Sequence, residues 1–201
     1  MEVSNTHLYL TLSNYGKVIP LRDRIYNSDD LIDWTEKEFE YVRYNPRKDI
    51  NRYGLSITSL DGGLSGRPDL DSLTEYNHEL GNFTPDDSIK ALCDEWQPYL
   101  FRTHIIRIAP GGYFPPHRDH TNTNIESLRL IMPLKNCEAP QLTFILDNDI
   151  INWQQGRLYF IDTAKMHYLF NPSFDPAYML VMNVGVNLHS VQNIINKFES
   201  R

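Results

Sequence analysis

The chain has 201 residues, of which 41% are hydrophobic and 22% are charged, the composition of an ordinary folded domain. Its formal net charge of −7 argues against a general affinity for nucleic acid, and no apolar run approaches the length of about 20 residues that a membrane span needs. Two cysteines cannot form a disulfide framework, and the first residues show no secretion signal. We therefore expect a cytoplasmic protein with neither nucleic acid nor membrane as partner. These features leave the oligomeric state open.

Residues 1–100 predict a helical and loop-rich N-terminal part. Within it, residues 7–12 alternate weakly, as a short strand does, and residues 33–44 carry a loose helical stripe. Residues 53–60 are extended, and they lead into the glycine-rich segment 61–68, which predicts a surface loop.

A clearer helix follows this loop. Thr84 can cap it, Pro85 suits its first position, and Asp87 completes a capping-box spacing. Its apolar face is formed by Ile89, Leu92, Cys93, Trp96 and Leu100. A helix with one apolar face of this kind is expected to pack on a sheet.

Short apolar strands separated by turns fill residues 101–187. The predicted strands are 103–109, 127–134, 141–147, 157–162 and 177–187, with 114–119 as a further short piece. No helix separates them, which favours antiparallel sheets that pack face to face or close into a jelly roll. Residues 148–153 indicate a turn, and residues 188–201 a final helix with Ser190 as its cap.

The fold class predicted from these elements is α+β. Its core, residues 101–187, is expected to be a double-stranded β-helix of the jelly-roll or cupin-like kind, with helices flanking it. The whole chain, residues 1–201, is expected to be one domain, since its length suits a single core.

Two histidines and an aspartate predict a metal site. His117 and Asp119 are two residues apart, so on an extended strand both side chains point to one face. His167 follows 157–162 and precedes a turn, which places it at a strand end. His120 also neighbours Asp119, but adjacent residues of a strand face opposite sides. Two imidazoles and one carboxylate are the facial ligands of Fe(II) sites that keep other positions open for cosubstrate and O2.

The run from Arg102 to Asn187 resembles the iron- and 2-oxoglutarate-dependent dioxygenases, in particular their aspartyl/asparaginyl β-hydroxylase-like branch. The matching features are the turn Pro110-Gly111, Arg129 in the following strand, and the stretch Trp153-Gln154-Gln155-Gly156-Arg157-Leu158-Tyr159-Phe160-Ile161-Asp162 ahead of His167. This resemblance implies that His117, Asp119 and His167 bind iron and that Arg129 contacts 2-oxoglutarate.

The sequence departs from the animal aspartyl hydroxylases at two places. Those enzymes lack the carboxylate ligand, whereas Asp119 completes a full triad here. They also carry an arginine about ten residues past the second histidine, where this chain has Ala177 and Tyr178. The substrate of the animal enzymes therefore does not transfer to this chain.

The distal carboxylate of 2-oxoglutarate needs a buried cation, and arginine suits it because its guanidinium binds carboxylates through two hydrogen bonds. Arg129 is the first candidate, since it lies between apolar residues of a strand that follows Asp119. Arg107 and Arg157 are embedded in a similar way and remain alternatives. Each of the three could instead project to solvent.

The resemblance implies an Fe(II)- and 2-oxoglutarate-dependent hydroxylase that uses O2 to insert oxygen into a C–H bond of an amino acid or of a peptide residue. A cupin-like module that binds a metal or a small molecule without catalysis is the alternative, and a metal enzyme that needs no 2-oxoglutarate is a third reading. Substrate-contacting groups are expected at Tyr53, Ser56 and Thr58 and in the loop 61–68, where Arg67 could meet a carboxylate.

Overall fold

The computed structural model describes residues 3–21, 28–43, 50–59, 79–80, 87–119 and 125–198. The predicted loop 61–68 with Arg67, the cap residues Thr84 and Pro85, and His120 lie outside these residues. None of the helices in the described ranges is long and apolar enough to cross a membrane.

Four helices and twelve strands make up the described chain. The helices are α1 (Asn5–Tyr15), α2 (Asp29–Glu38), α3 (Asp87–Trp96) and α4 (Leu188–Lys197). The strands are β1 (Val18–Pro20), β2 (Val42–Arg43), β3 (Ile50–Ser56), β4 (Thr58–Ser59), β5 (Glu79–Leu80), β6 (Leu100–His117), β7 (Ser127–Lys135), β8 (Thr143–Leu146), β9 (Asp149–Ile150), β10 (Tyr159–Ile161), β11 (His167–Phe170) and β12 (Ala177–Gly185).

Ten of these strands form one antiparallel sheet in the order β1-β10-β7-β12-β6-β11-β8-β9, with β3 also pairing with β6 and β2 with β3. The 18-residue strand β6 makes the sheet curl, because its first part pairs with β12 and its last part with β11. The turn between these parts lies at Gly111 and Gly112. A Cβ atom on Gly112 would lie 2.6 Å from the Ala109 carbonyl oxygen, so this close backbone approach requires glycine.

Two apolar clusters lie on opposite faces of the curled sheet. The larger cluster takes buried residues from all four helices, including Leu12, Ile32, Trp96 and Ile194, and packs them on the outer face. The smaller cluster lies on the concave face. The helices therefore cover the outer face of a curled antiparallel sheet, which confirms the coarser part of the prediction, an antiparallel core with flanking helices.

Several predicted elements differ from the structure. Residues 7–12 form part of α1 rather than a strand, because Ser4 caps the helix by accepting from the His7 amide and Leu8, Tyr9 and Leu12 pack on one side. The helix predicted at 33–44 begins and ends earlier, as α2. The cap of α4 is Asn187, whose side chain accepts from the Ser190 amide, so the assignment of Ser190 as the cap was wrong.

Some strand predictions failed at their boundaries, and strands β1 and β11 were not predicted. Strand β6 joins the predicted piece 103–109 to the first part of the predicted piece 114–119 and ends at His117, since the turn at Gly111 bends the strand without ending its pairing. The predicted turn 148–153 contains the short strand β9, and the predicted strand 157–162 shortens to β10.

Candidate active site

The two predicted histidines meet because β6 and β11 are neighbours. His117 ends β6, His167 begins β11, and the two are register partners. Asp119 follows β6, and its amide donates to the Thr163 carbonyl at 3.0 Å. The Oδ1 atom of Asp119 lies 3.4 Å from His117 Nε2 and 3.8 Å from His167 Nε2. One ligand atom from each of the three side chains falls within 4.8 Å of the others, as in a metal site.

Backbone carbonyls orient both imidazole rings in the same way. His117 Nδ1 lies 2.9 Å from the Pro115 carbonyl oxygen, and His167 Nδ1 lies 3.0 Å from that of Lys165. A carbonyl oxygen only accepts, so Nδ1 carries the proton in each neutral ring. Nε2 then presents its lone pair on the side of Asp119, which is the second-sphere arrangement that metal-binding histidines use.

Arg129 fixes the carboxylate of Asp119. Its Nε and Nη2 atoms donate to Oδ2 at 3.2 Å and 2.7 Å, which leaves Oδ1 to face the histidines. Burial opposes ionisation of Asp119, but the Arg129 guanidinium is the strongest influence that favours it, and the pKa of the carboxyl lies well below its usual range. Burial also lowers the pKa of His167 to about 4. An ionised carboxylate and a neutral imidazole are the forms that bind metal.

The triad opens into a cavity of about 190 Å³ on the concave face of the sheet. Its apolar lining comes from Ile106, Phe114, Ile131, Phe144, Leu169, Met179 and Val181. Its polar lining comes from Arg52, Arg102, His104, Thr163 and Arg129, together with the triad. Three guanidinium groups therefore share a small cavity with Asp119.

The candidate arginines separate clearly by position. Arg129 lines the cavity, whereas Arg107 and Arg157 are not among the described lining residues. Arg107 projects from the outer side of β6, where its Nη1 donates to both carboxylate oxygens of Glu36 at 3.3 Å. Arg157 donates to Gln154 Oε1 at 2.9 Å.

Two cavity arginines were missed from the sequence. Arg102 alternates with His104 and Ile106 along β6, and this period-two pattern was the signal that could have found it. Arg52 lies in β3, and its guanidinium carbon is 3.5 Å from the centre of the Phe114 ring. The Phe114 ring in turn packs on His117 with 3.9 Å between ring centres.

The expected substrate groups on the segment 53–60 do not reach the cavity in the described structure. Thr58 is buried and its hydroxyl accepts from the Thr103 amide at 2.7 Å, and Ser56 is also buried. Tyr53 lies under the guanidinium of Arg107 on the outer side, at 4.9 Å. None of the three is among the described residues that line the cavity.

One polar row crosses the sheet beside the triad. Asn183 on β12 is the register partner of Arg129 on β7. On its other side, Asn183 Nδ2 donates to the Arg102 carbonyl on β6 at 2.7 Å. In the next row, Val181 is the partner of both His104 and Ile131. Arg102 and Arg129 therefore lie at one level of the sheet with a single strand between them.

His104 lies among these cations. It is 1% exposed, and burial lowers its pKa well below the ordinary value, assisted by the charges of Arg102, Arg129 and Arg52. The imidazole of His104 is thus held neutral, and it adds no further charge to the cavity.

Comparison with known proteins agrees with this geometry. A family model described as aspartyl/asparaginyl beta-hydroxylase matches residues 89–185, just under half of the chain. No curated protein matches the sequence significantly.

Three solved structures share the fold at low identity. An oxidoreductase of the 2OG-Fe(II) oxygenase family from Burkholderia pseudomallei has 12% identity, a TM-score of 0.57, and 93% of each chain covered. HygX from Streptomyces hygroscopicus, solved with nickel and 2-oxoglutarate, has 9% identity and a TM-score of 0.54, over 90% of this chain and 87% of HygX. A prolyl-4-hydroxylase from Pseudomonas putida has 12% identity and a TM-score of 0.51, over 93% and 92% of the two chains.

The curled sheet is shared with a solved oxygenase of the 2OG-Fe(II) family, and the His-Asp-His cluster is a ligand set that non-haem Fe(II) sites use. The resemblance of this chain to the aspartyl/asparaginyl β-hydroxylase branch is confirmed by the family model over residues 89–185. The donor set of the triad fits iron, and the cationic lining of the cavity fits a dicarboxylate. Fe(II) and 2-oxoglutarate are therefore the cofactors that the family and the site support.

Proposed function

We propose that this protein is an Fe(II)- and 2-oxoglutarate-dependent hydroxylase that inserts oxygen into a C–H bond of an amino acid or of a peptide residue. The observation that carries the proposal is the meeting of His117, Asp119 and His167 at a cavity lined by arginines. With both cofactors and O2 bound, such a site supplies the oxidative decarboxylation of 2-oxoglutarate to succinate and CO2, coupled to hydroxylation of the substrate.

Each residue of the triad has a defined part in this proposal. His117 and His167 bind the metal through Nε2, because their Nδ1 atoms face backbone carbonyls. Asp119 binds through Oδ1, because Arg129 occupies Oδ2. The cationic end of the cavity, where Arg129 and Arg102 lie, receives 2-oxoglutarate.

The apolar part of the lining serves to exclude water from the reacting bond. Phe144 stacks over His167 with 6.1 Å between ring centres, and Ile131, Leu169 and Met179 surround the same space. An apolar lining on this side excludes water, so that the reaction occurs at a bound C–H bond and not with solvent.

The finer fold assignment belongs to the same proposal. The sheet order, in which β6 bridges β12 and β11, supports a double-stranded β-helix core at residues 101–187. We take residues 1–201 as one oxygenase domain, in which the helices of the described ranges pack on the outer face of that core.

Anaerobic addition of Fe(II) and 2-oxoglutarate tests the proposal directly. The chelate of a keto acid with Fe(II) gives a visible charge-transfer band, and admission of O2 should convert 2-oxoglutarate to succinate. A colourless mixture would favour the cupin-like binding module. Turnover of a substrate when 2-oxoglutarate is left out would favour a metal enzyme of another kind.

A screen for stimulated succinate release then identifies the substrate. Free amino acids and short peptides are offered one by one, and each stimulating compound is checked for a product heavier by one oxygen atom. Stimulation without that mass increase would contradict hydroxylation.

A further inference from the structure

Arg129 and Arg102 occupy different positions relative to the triad, although both line the cavity. Arg129 is in direct contact with a predicted metal ligand, since its Nη2 lies 2.7 Å from Asp119 Oδ2. Arg102 begins the same strand that His117 ends, and it is 2% exposed. Asn183 lies between the two arginines on β12.

We propose that Arg129 is a positioning residue for Asp119 and that Arg102 binds the distal carboxylate of 2-oxoglutarate. This inference rests on the proposed function, and it differs from the role that the family resemblance implies for Arg129.

The first argument concerns the donors of Arg129. Both its Nε and its Nη2 atoms converge on one oxygen of Asp119. A guanidinium binds a second carboxylate best through two parallel hydrogen bonds from one edge. The Nε–Nη2 edge of Arg129 is already directed at Asp119, so only the Nη1 and remaining Nη2 hydrogens are left for a second carboxylate.

The second argument concerns distance. In 2-oxoglutarate, two methylene groups separate the distal carboxylate from the keto acid that chelates the metal. A residue in contact with a metal ligand lies near the metal, and therefore near the end of 2-oxoglutarate that chelates the metal. Arg102 lies two strands away from Arg129, which is about 10 Å along the sheet at the usual strand spacing. Arg102 therefore approaches the same cavity from beyond the chelating end.

The third argument concerns the places where the family pattern has changed. Where the animal enzymes carry an arginine past the second histidine, this chain has Tyr178, whose hydroxyl donates to Glu36 on the outer side at 2.7 Å. That position supplies no cation to the cavity. Asp119, in turn, restores a carboxylate that those enzymes lack, and Arg129 is the cation that holds it.

Binding of two keto acids separates the two roles. 2-Oxopentanoate has the chain length of 2-oxoglutarate but ends in a methyl group, so only 2-oxoglutarate engages a distal cation. Half-saturation of the anaerobic charge-transfer band at saturating Fe(II) is measured for both compounds. The wild type should prefer 2-oxoglutarate by roughly tenfold or more, since a hydrogen bond to a charged group has about this effect.

The Arg102→Met variant should lose this preference, whereas Arg129→Met should keep it. Arg107→Met is the matched control, because Arg107 lies on the same strand with its side chain on the outer face. If Arg102→Met does not fold, Arg102→Lys should show a reduced preference. Loss of the preference in Arg129→Met, or its retention in Arg102→Met, would overturn the assignment.

Binding of Mn(II) alone tests the positioning role of Arg129. Arg129→Met should weaken Mn(II) binding by roughly tenfold, as the loss of a second-sphere partner does, and Arg102→Met should leave it unchanged. In an Asp119→Ala background, Arg129→Met should have no further effect, and an equal effect in both backgrounds would contradict the role. A wild type that gives no charge-transfer band refutes the proposed function, whereas a band whose keto-acid preference depends on Arg129 refutes only this inference.

Discussion

His117 and His167 are register partners across β6 and β11, and their ring centres lie 4.1 Å apart. Each ring is held by the backbone carbonyl two residues before it. The two imidazoles thus make the same local contact with the backbone on two antiparallel strands. The pairing of these strands brings the two Nε2 atoms to one carboxylate. The proposed metal site is therefore a direct consequence of sheet register.

Replacing either histidine should therefore remove the iron. In His167→Ala and in His117→Ala, we expect the Fe(II)–2-oxoglutarate band and succinate formation to fall by more than about 100-fold, beyond the range for second-sphere partners. Anaerobic absorbance and succinate yield measure the two effects. His7→Ala, which changes an exposed histidine of α1, should behave as the wild type. An intact succinate yield in His167→Ala would remove that residue from the iron.

Tyr9 connects α1 to the segment that leads into His167. Its hydroxyl donates to Asp162 Oδ1 at 2.9 Å and accepts from the Ala164 amide at 3.3 Å. Asp162 is 2% exposed, and in Tyr9→Phe it loses this donor. We therefore expect the free energy of unfolding to fall by about 1–3 kcal/mol. Urea denaturation measures the change, and Tyr15→Phe, at a half-exposed tyrosine of the same helix, is the control. Equal stabilities of the two variants would contradict the contact.

The two glycines before His117 should respond differently to alanine. A Cβ at position 112 would lie 2.6 Å from both the Ala109 oxygen and Ile108 Cγ2, so Gly112→Ala should cost about 1–3 kcal/mol or displace the turn. Gly111 has open space around it but a φ of 69°, so Gly111→Ala should cost only about 1 kcal/mol. Thermal unfolding compares the two. A reversed order would show that space is not the constraint at this turn.

His104 should make the stability of the metal-free protein depend on pH. Its pKa in the folded state is well below the ordinary 6.5, because burial and the surrounding arginines favour the neutral ring. Between these two pKa values the unfolded chain binds more protons than the folded one. The stabilising effect is therefore present above about 6.5 and is lost as the pH falls below it.

Replacement of His104 isolates this contribution. The free energy of unfolding of His104→Gln should fall less steeply between pH 7 and pH 5 than that of the wild type, whereas His7→Gln should follow the wild type. A pH dependence that is the same in all three proteins would assign the effect to other groups. Arginine side chains in general keep their proton in proteins, and the lowered pKa of Asp119 keeps its carboxylate ionised over this range.

The sequence determined the parts of the site that depend on local spacing. His117 and Asp119 were predicted as a pair because residues two apart on a strand share a face, although Asp119 lies just past the end of β6. His167 was predicted because it follows the predicted strand 157–162, and in the structure it begins β11. The short-strand texture of residues 101–187 likewise predicted the antiparallel sheet. These features need only a few neighbouring residues to be recognised.

Tertiary structure decided which arginines enter the cavity. Arg102, Arg107 and Arg129 all lie in apolar strands, and the sequence around each predicts burial without saying which face of the curled sheet is concave. The pairing of β6 with β12 and β11 turns Arg102 inward and Arg107 outward. Arg52 enters from β3, far away in the sequence. Local spacing predicted His117 and Asp119 as metal ligands, and only the curl of the sheet, set by long-range strand pairing, decided which charges surround them.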